Sequence, residues 1–162
     1  MPTANPGKKF ETDFKKSVPI DIFAYRIKTR TTAYKGDNEV ADFILFDGES
    51  LFLFELKTTK EKRLPFVMIR PNQLVGIRDA LKFKGIYGGI VLQFRDPHSH
   101  WFIPIHVIEE YIEKGAKSIP IADCHARDDI INIPFRKKKV TCVLDVLYLL
   151  EKIKEAQREN DN

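Results

Sequence analysis

Apolar residues recur at helical spacing in four stretches of the chain. In the first stretch, Phe10, Phe14 and Val18 lie four residues apart behind an Asn5-Pro6 pair, which is typical of an N-cap followed by proline. The spacing predicts helices over residues 6–17, from residue 71 onward, over 108–114 and over 140–157. In the last helix, the residues predicted to face inward include Val143, Leu147, Leu150 and Ile153.

Five other stretches either alternate apolar with polar residues or are continuously apolar, which predicts strands. These strands cover about residues 21–30, 39–46, 51–59, 87–94 and 101–107. Residues 47–50 have the composition of a hairpin turn, Pro104 indicates an edge or a bulge in the last strand, and residues 118–134 are predicted to be irregular. The order of elements predicts an α/β fold with a mixed sheet of about five strands flanked by helices.

The composition is that of a globular protein, with 43% apolar and 31% charged residues in a chain of 162. This length suits one domain over residues 1–162, with flexible ends at 1–5 and 158–162. No segment approaches the roughly 20 apolar residues that span a bilayer, and the first residues lack the apolar core of a signal peptide. Cys124 and Cys142 are predicted to be free thiols, so we expect a cytoplasmic protein with no membrane partner.

Basic residues cluster in one stretch of the chain more than the net charge of +4 suggests. Arg26, Lys28 and Arg30 occupy every second position, so a strand would place them on one face, and Lys35 follows in a polar loop. A second basic cluster covers residues 136–139. A polyanion such as DNA is one interpretation, and ordinary solvated side chains are the other.

Glu55 and Lys57 are unusual because they lie two residues apart in an apolar strand. Charges in such a setting are expensive to desolvate unless an ion or an opposite charge compensates them. A hairpin would bring Asp42 back toward Glu55, and two carboxylates with substrate phosphate oxygens suit Mg²⁺. The bare Glu-x-Lys motif is weak, and a half-exposed ion pair on an edge strand is the alternative explanation.

His98, His100, Cys124 and His125 raise the question of a zinc site. Their spacing fits no zinc-finger pattern. The interpretation that the sequence favours is therefore a set of exposed loop histidines.

Several motifs, in order along residues 7–110, resemble the RecU family of Holliday junction resolvases in the PD-(D/E)xK nuclease superfamily. They are Gly7-Lys8-Lys9-Phe10-Glu11, Asp42, Phe54-Glu55-Leu56-Lys57-Thr58-Thr59, Pro71-Asn72-Gln73 and Gly88-Gly89-Ile90. The resemblance implies that Asp42, Glu55 and Lys57 form the catalytic core, that Glu11 completes the metal site, and that Gln73 lies near it. Ala41 stands where the superfamily name has proline, and the basic stretch 26–38 is short for the family's projecting stalk.

The resemblance also implies a restriction-endonuclease-like fold and a homodimer that uses Mg²⁺, with Mn²⁺ as a substitute. Such an enzyme makes paired nicks in four-way DNA junctions during recombination and repair, and a bacterium or its phage would encode it. The basic residues Arg26, Lys28, Arg30 and Lys35 would then contact junction phosphates. Two alternatives stay open: a nuclease of this fold that cuts duplex, flap or damaged DNA, and a non-catalytic DNA-binding module.

Overall fold

The computed structural model describes residues 5–27 and 40–162. Within these ranges the strands are β1 (Phe23–Arg26), β2 (Phe43–Phe46), β3 (Leu51–Thr59), β4 (Arg63–Pro65), β5 (Ile86–Arg95), β6 (His98–Pro104), β7 (Ser118–Pro120), β8 (Ile131–Asn132), β9 (Phe135–Lys137) and β10 (Cys142–Leu144). The α-helices are α1 (Pro6–Ser17), α2 (Pro71–Ala80), α3 (Ile105–Glu113), α4 (Ile121–Ala126) and α5 (Val146–Asn160). None of the described helices is both long and apolar enough to cross a membrane.

The central sheet has six strands in the order β1-β2-β3-β5-β6-β8. β3 runs parallel to β5, and every other neighbouring pair in this sheet is antiparallel. Two further pairs, β4 with β7 and β9 with β10, form small antiparallel sheets. The predicted α/β architecture, a mixed sheet flanked by helices, is confirmed, with six strands instead of about five.

The turn between β2 and β3 is fixed by Asp47, as its composition predicts. The Asp47 carboxylate accepts hydrogen bonds from the backbone N–H groups of Glu49 (3.0 Å) and Ser50 (2.7 Å). Gly48 has a φ of 98°, which favours glycine. Lys154 of α5 forms an ion pair with Asp47 at 2.8 Å, so the last helix is tied to this turn.

β3 is a largely buried strand in the interior of the sheet, and its side chains point to two faces. We call the side that bears Phe52, Phe54 and Leu56 the back face; it packs against α1 and α5. The side that bears Leu53 and Glu55 is the front face, where Leu53 packs against α2. Alternation along the strand therefore sends residues 55 and 57 to the front and residue 58 to the back.

A glycine in β5 lets α2 lie close to the front face. A Cβ atom on Gly88 would come within 2.6 Å of the Leu53 carbonyl oxygen and 3.0 Å of the Ile77 side chain in α2. Glycine at this position therefore allows close packing of the strand against β3 and of the helix against the sheet. The position of α2 matters because its first turn carries Gln73.

The structure corrects several element boundaries. β6 covers His98–Pro104, so the predicted bounds of 101–107 are wrong. It lies between β5 and β8, so of the two alternatives that Pro104 indicated, an edge or a bulge, the edge is excluded. Pro104 instead precedes α3, because the fixed φ of proline suits a helix start and its missing N–H is not needed there. β2 begins at Phe43, later than predicted, and the part of the first predicted strand that is described covers Phe23–Arg26.

The C-terminal third contains more regular structure than its sequence pattern indicates. Residues 118–134 include β7, α4 and β8, which are too short to show a period. α5 begins at Val146, since residues 142–144 form β10, so Val143 is in a strand and Leu147 is half exposed. The residues of α5 that do face the core are Val146, Leu149, Leu150 and Ile153.

Candidate active site

The β2–β3 ladder brings Asp42 to Glu55. Phe43 is paired with Phe54, and continuing this register by one residue sets Asp42 opposite Glu55. The Asp42 N–H donates to the Phe54 carbonyl oxygen at 3.0 Å, and the Leu56 N–H donates to Asp42 Oδ2 at 2.8 Å. The predicted convergence of the two carboxylates at one end of the hairpin is therefore present in the structure.

Glu55 lies at the centre of the cluster, with a side chain only 3% exposed. Its Oε1 receives two contacts, from Lys57 Nζ at 3.0 Å and from Gln73 Nε2 at 2.8 Å. Its Oε2 is buried and has no hydrogen-bond partner. A buried carboxylate oxygen without a partner is costly, so this atom requires a proton or an ion.

Gln73 reaches Glu55 from the first turn of α2. Its Oε1 accepts a hydrogen bond from the Arg70 N–H at 3.1 Å. This contact sets the orientation of the amide, because the oxygen is engaged by a donor and the NH₂ group must then point toward Glu55. The structure thus places Lys57 and Gln73 on the same carboxylate oxygen.

The pKa values of both carboxyl groups are raised. Burial and, after it, the charge of Asp42 raise the pKa of Glu55 to about 7, against the opposing effect of Lys57. Burial also raises the pKa of Asp42, which the Leu56 N–H and the Lys57 charge partly offset. The mutual effect of the two carboxyl groups lowers the pKa of Asp42 and raises that of Glu55, which favours the proton on Glu55. In the absence of a cation, the pair therefore holds a proton near neutral pH.

Glu11 lies near this pair but is engaged elsewhere. Its charge contributes to the raised pKa of Asp42, so α1 brings it into the neighbourhood. Its Oε2 accepts from Arg26 Nε at 2.6 Å, across from α1 to β1. Glu11 would have to leave or share this ion pair in order to bind a metal beside Asp42.

The donor set fits a hard divalent cation. Asp42 and Glu55 offer carboxylate oxygens, and Glu55 Oε2 is the buried oxygen that lacks a partner. A cation there would replace the shared proton and relieve the repulsion between the carboxylates. Mg²⁺ and Mn²⁺ suit such oxygen ligands.

Of the four predicted DNA-binding residues, the structure describes one. Arg26 lines an open cavity of about 640 Å³ beside α1, together with Lys8, Lys15 and Lys16. Lys28, Arg30, Lys35 and most of the predicted stalk 26–38 lie outside the described residues. The three lysines were not singled out in the sequence, although their spacing, with Thr12 between them, follows one helix face.

The interpretation of the histidines as exposed loop residues is wrong for His98 and His100. Both lie in β6; His100 is fully buried and His98 partly so. Burial lowers the pKa of both, to about 3 for His100, so both rings are neutral at pH 7. Cys124 and His125 lie apart in α4, and the cysteine near the two histidines is Cys142. Both cysteines are free thiols, as predicted.

Comparison with known proteins identifies the family. The family model described as Recombination protein U (RecU) matches residues 10–152. The SPbeta prophage-derived uncharacterized protein YotM of Bacillus subtilis (strain 168) is 35% identical over 147 residues, covering 76% of this chain and 75% of that protein. Hjc of Archaeoglobus fulgidus, a Holliday junction resolvase from an archaeal hyperthermophile, has a TM-score of 0.43 and 14% identity, covering 61% of this chain and 74% of that chain.

The chain belongs to the RecU family. The family resemblance predicted from the ordered motifs is confirmed. The match extends past residue 110, where the sequence motifs stop, and takes in β7 to β10 and the first half of α5.

Proposed function

We propose that this protein is a Mg²⁺-dependent endodeoxyribonuclease that resolves four-way DNA junctions by paired nicks, as a homodimer, in recombination and repair. Family membership supports the link to recombination. The observation that carries the catalytic part is Glu55, a buried carboxylate with an unpartnered oxygen, held beside Asp42 and Lys57. A group so poorly satisfied in the middle of a buried strand is typical of a functional site and is hard to explain as a structural ion pair.

In this proposal Asp42 and Glu55 hold the metal, Mg²⁺ or Mn²⁺. Glu11 assists by leaving its ion pair with Arg26 and binding the metal instead. A bound divalent cation stabilises negative charge on phosphate oxygens and increases the acidity of water. Asp42 is held for this task by the Leu56 N–H, which fixes one of its oxygens. Glu55 is held by Gln73, so both carboxylates are positioned before any ligand arrives.

Lys57 is the group that we assign to the reacting atoms. Its side chain is 17% exposed, and its ammonium is oriented by Glu55 Oε1 at 3.0 Å. From there it can hold an attacking water or donate to a phosphate oxygen as negative charge develops. Gln73 acts through Glu55, so we regard it as a positioning residue.

Basic residues on α1 and β1 would bring the DNA to this site. Lys8, Lys15 and Lys16 surround the cavity that Arg26 lines, and phosphates are the natural partners of such a surface. Lys28, Arg30 and Lys35 extend the same basic stretch in sequence. We place the protein in the cytoplasm of a bacterium, encoded by the bacterium or by a phage. Its free buried thiols and its similarity to a prophage-derived protein support this location.

The direct test is cleavage of a labelled four-way junction with and without Mg²⁺. Glu55→Gln and Asp42→Asn keep the shape of each side chain but remove a ligand charge, so we expect each to bind junctions and to lose cleavage by at least about 10³-fold. Glu49→Gln is the matched control, since Glu49 is an exposed carboxyl in the turn of the same hairpin. Undiminished cleavage by either site variant would overturn the assignment.

The same assay separates the alternative functions. Symmetric paired nicks on the junction, with linear duplex and flap DNA of the same sequence uncut, support junction resolution. Equal cutting of duplex or flap DNA supports the alternative substrate, and binding without cutting at any Mg²⁺ or Mn²⁺ concentration supports the non-catalytic module. Sedimentation of the purified protein tests the homodimer.

A further inference from the structure

A second group of metal-ligating side chains lies on the back face of the sheet. His98, His100 and Cys142 each offer one ligand atom, and these atoms lie within 4.8 Å of one another. Among the described residues, these three form the one group of at least three histidine, cysteine or acidic side chains whose ligand atoms come this close together. Cys142 is 4% exposed and His100 is fully buried.

The placement of the strands and two ring contacts hold these side chains together. β6 supplies both histidines, and alternation places them on the same side of the strand. The His98 ring stacks on Phe135 with centroids 5.1 Å apart, and the His100 ring meets the edge of the same phenylalanine at 4.7 Å. Phe135 belongs to β9, whose partner β10 begins with Cys142, so the small sheet carries both the aromatic support and the thiol.

His100 is not satisfied as an ordinary core histidine. Its Nδ1 is buried and has no hydrogen-bond partner. Its Nε2 lies 3.1 Å from Gln93 Nε2, and Gln93 Oε1 is engaged by the Thr58 hydroxyl at 2.8 Å. A buried polar atom without a partner costs about 1–3 kcal/mol. A metal ion on Nδ1 would remove that cost once the ring proton is on Nε2 and the Gln93 amide has turned so that its oxygen, in place of its NH₂ group, faces the ring.

We propose that His98, His100 and Cys142 form a binding site for Zn²⁺, separate from the carboxylate site on the front face. Imidazole nitrogen and thiolate sulfur select zinc-like ions and disfavour Mg²⁺. Tetrahedral zinc holds such atoms about 3.3–3.6 Å apart, so small side-chain rotations close the site. His98 and Cys142 line a cavity of about 200 Å³, which has room for a water molecule as a fourth ligand.

The cavity is lined by five basic residues and one acid, namely Lys9, Arg95, Lys137, Lys138, Lys139 and Asp13. The Asp13 carboxylate is buried and forms an ion pair with Lys9 at 2.8 Å, so it offsets one of these positive charges. The Cys142 thiolate would offset one of the two charges of Zn²⁺. The ion would join β6 to β10, strands far apart in sequence, and we therefore expect it to stabilise the fold without reaching the front face.

The test uses the full chain with excess Mg²⁺ present, so that the oxygen site is occupied. Co²⁺, added as a spectroscopic substitute for Zn²⁺, should give a thiolate-to-metal charge-transfer band, and Zn²⁺ should abolish it. Cys142→Ser should lose the band. His98→Gln, at a partly exposed position, should weaken Zn²⁺ binding by more than about tenfold, because even outer-shell changes cost about 10–100-fold.

Cys124→Ser is the matched control, because Cys124 is the other buried free thiol and lies in α4. It should keep both the band and the Zn²⁺ affinity, and circular dichroism should show that all three variants are folded. A folded wild-type protein without the band overturns the proposal, and so does a band that survives Cys142→Ser or that is lost in Cys124→Ser. Because the readouts are metal binding only, failure here leaves the nuclease proposal untouched.

Discussion

The two faces of the central sheet carry polar clusters of opposite chemistry. On the front face, Asp42 and Glu55 present charged oxygens beside Lys57. On the back face, His98, His100 and Cys142 present neutral nitrogen and sulfur. Hard and soft ligand sets prefer different ions, so the sheet would keep the two proposed metal sites chemically distinct on opposite faces.

The two clusters share one property. In the part of the chain that the structure describes, two buried side-chain polar atoms lack a hydrogen-bond partner, Glu55 Oε2 and His100 Nδ1, one in each cluster. Buried polar groups are nearly always paired in proteins, so each exception needs an explanation. The two proposed metal sites would account for both atoms, and the comparison can be tested by changing one face at a time.

The largest effect is expected from Lys57→Met, which removes the ammonium group and keeps most of the stem. Junction cleavage should fall by about 10²–10⁴-fold, because the variant loses the only cation bonded to Glu55 among the described contacts. Zn²⁺ affinity should be unchanged, since Lys57 points to the front face. Lys60→Met, at an exposed lysine just beyond β3, is the control and should cut normally.

The next effect is a pH dependence of stability that originates on the front face. The pKa of Glu55 is about 7 in the folded protein and 4.5 ordinarily, so between these values the folded state binds more protons than the unfolded state. The free energy of unfolding in EDTA should therefore fall as pH rises from about 4.5 through about 7, by at most about 3 kcal/mol. Urea denaturation at a series of pH values measures it.

Glu55→Gln removes this titrating group and supplies the control for the pH series. From pH 5 to pH 8 the wild type should lose stability relative to the variant, because only the wild type has the Glu55 carboxyl group that loses its proton. Mg²⁺ should stabilise the wild type more at pH 8 than at pH 5, because the cation competes with the proton. A difference that does not change with pH would contradict the shared-proton description of Asp42 and Glu55.

The front face could be predicted because it is built from nearby sequence. Asp42 and Glu55 are joined by one hairpin, the turn residues at 47–50 show where the chain reverses, and period-2 alternation gives the face of each side chain. The ordered motifs then supplied Glu11 and Gln73. The ion pair of Glu11 with Arg26 was not foreseen, since nothing local relates α1 to β1.

The back face could not be predicted because it depends on long-range packing. His98 and His100 are more than 40 positions before Cys142 in sequence, and the helix predicted over 140–157 hid the strand β10 that carries the thiol. β8, β9 and β10 have two or three residues each, too few to show a period. The order of the longer elements was enough to predict a mixed sheet. The short strands form because of tertiary contacts, which the local sequence does not show.

A smaller effect is expected where α2 approaches the front face. Gly88→Ala forces a Cβ atom against the Leu53 carbonyl, 2.6 Å away, and should destabilise the fold by about 1–3 kcal/mol. The shift of α2 should displace Gln73 and lower cleavage, with no change in Zn²⁺ affinity. Gly76→Ala in the same helix is the control, because its nearest neighbour would be 3.5 Å away, and it should be neutral or slightly stabilising.

The smallest effect tests the boundary between the faces. Thr58 follows Lys57 directly but points to the back, where its hydroxyl donates to Gln93 Oε1 at 2.8 Å. Thr58→Val removes that bond and should cost about 1 kcal/mol of stability and about tenfold in Zn²⁺ affinity, because Gln93 also contacts His100. Cleavage should stay within about twofold of wild type, since the front-face contacts of Glu55 and Lys57 do not involve this hydroxyl.

Thr59→Val, which removes the bond from the Glu61 N–H, should leave Zn²⁺ affinity unchanged. If Thr58→Val instead abolished cleavage and spared Zn²⁺ binding, the two clusters would not be separated by the strand, and the division into faces would fail.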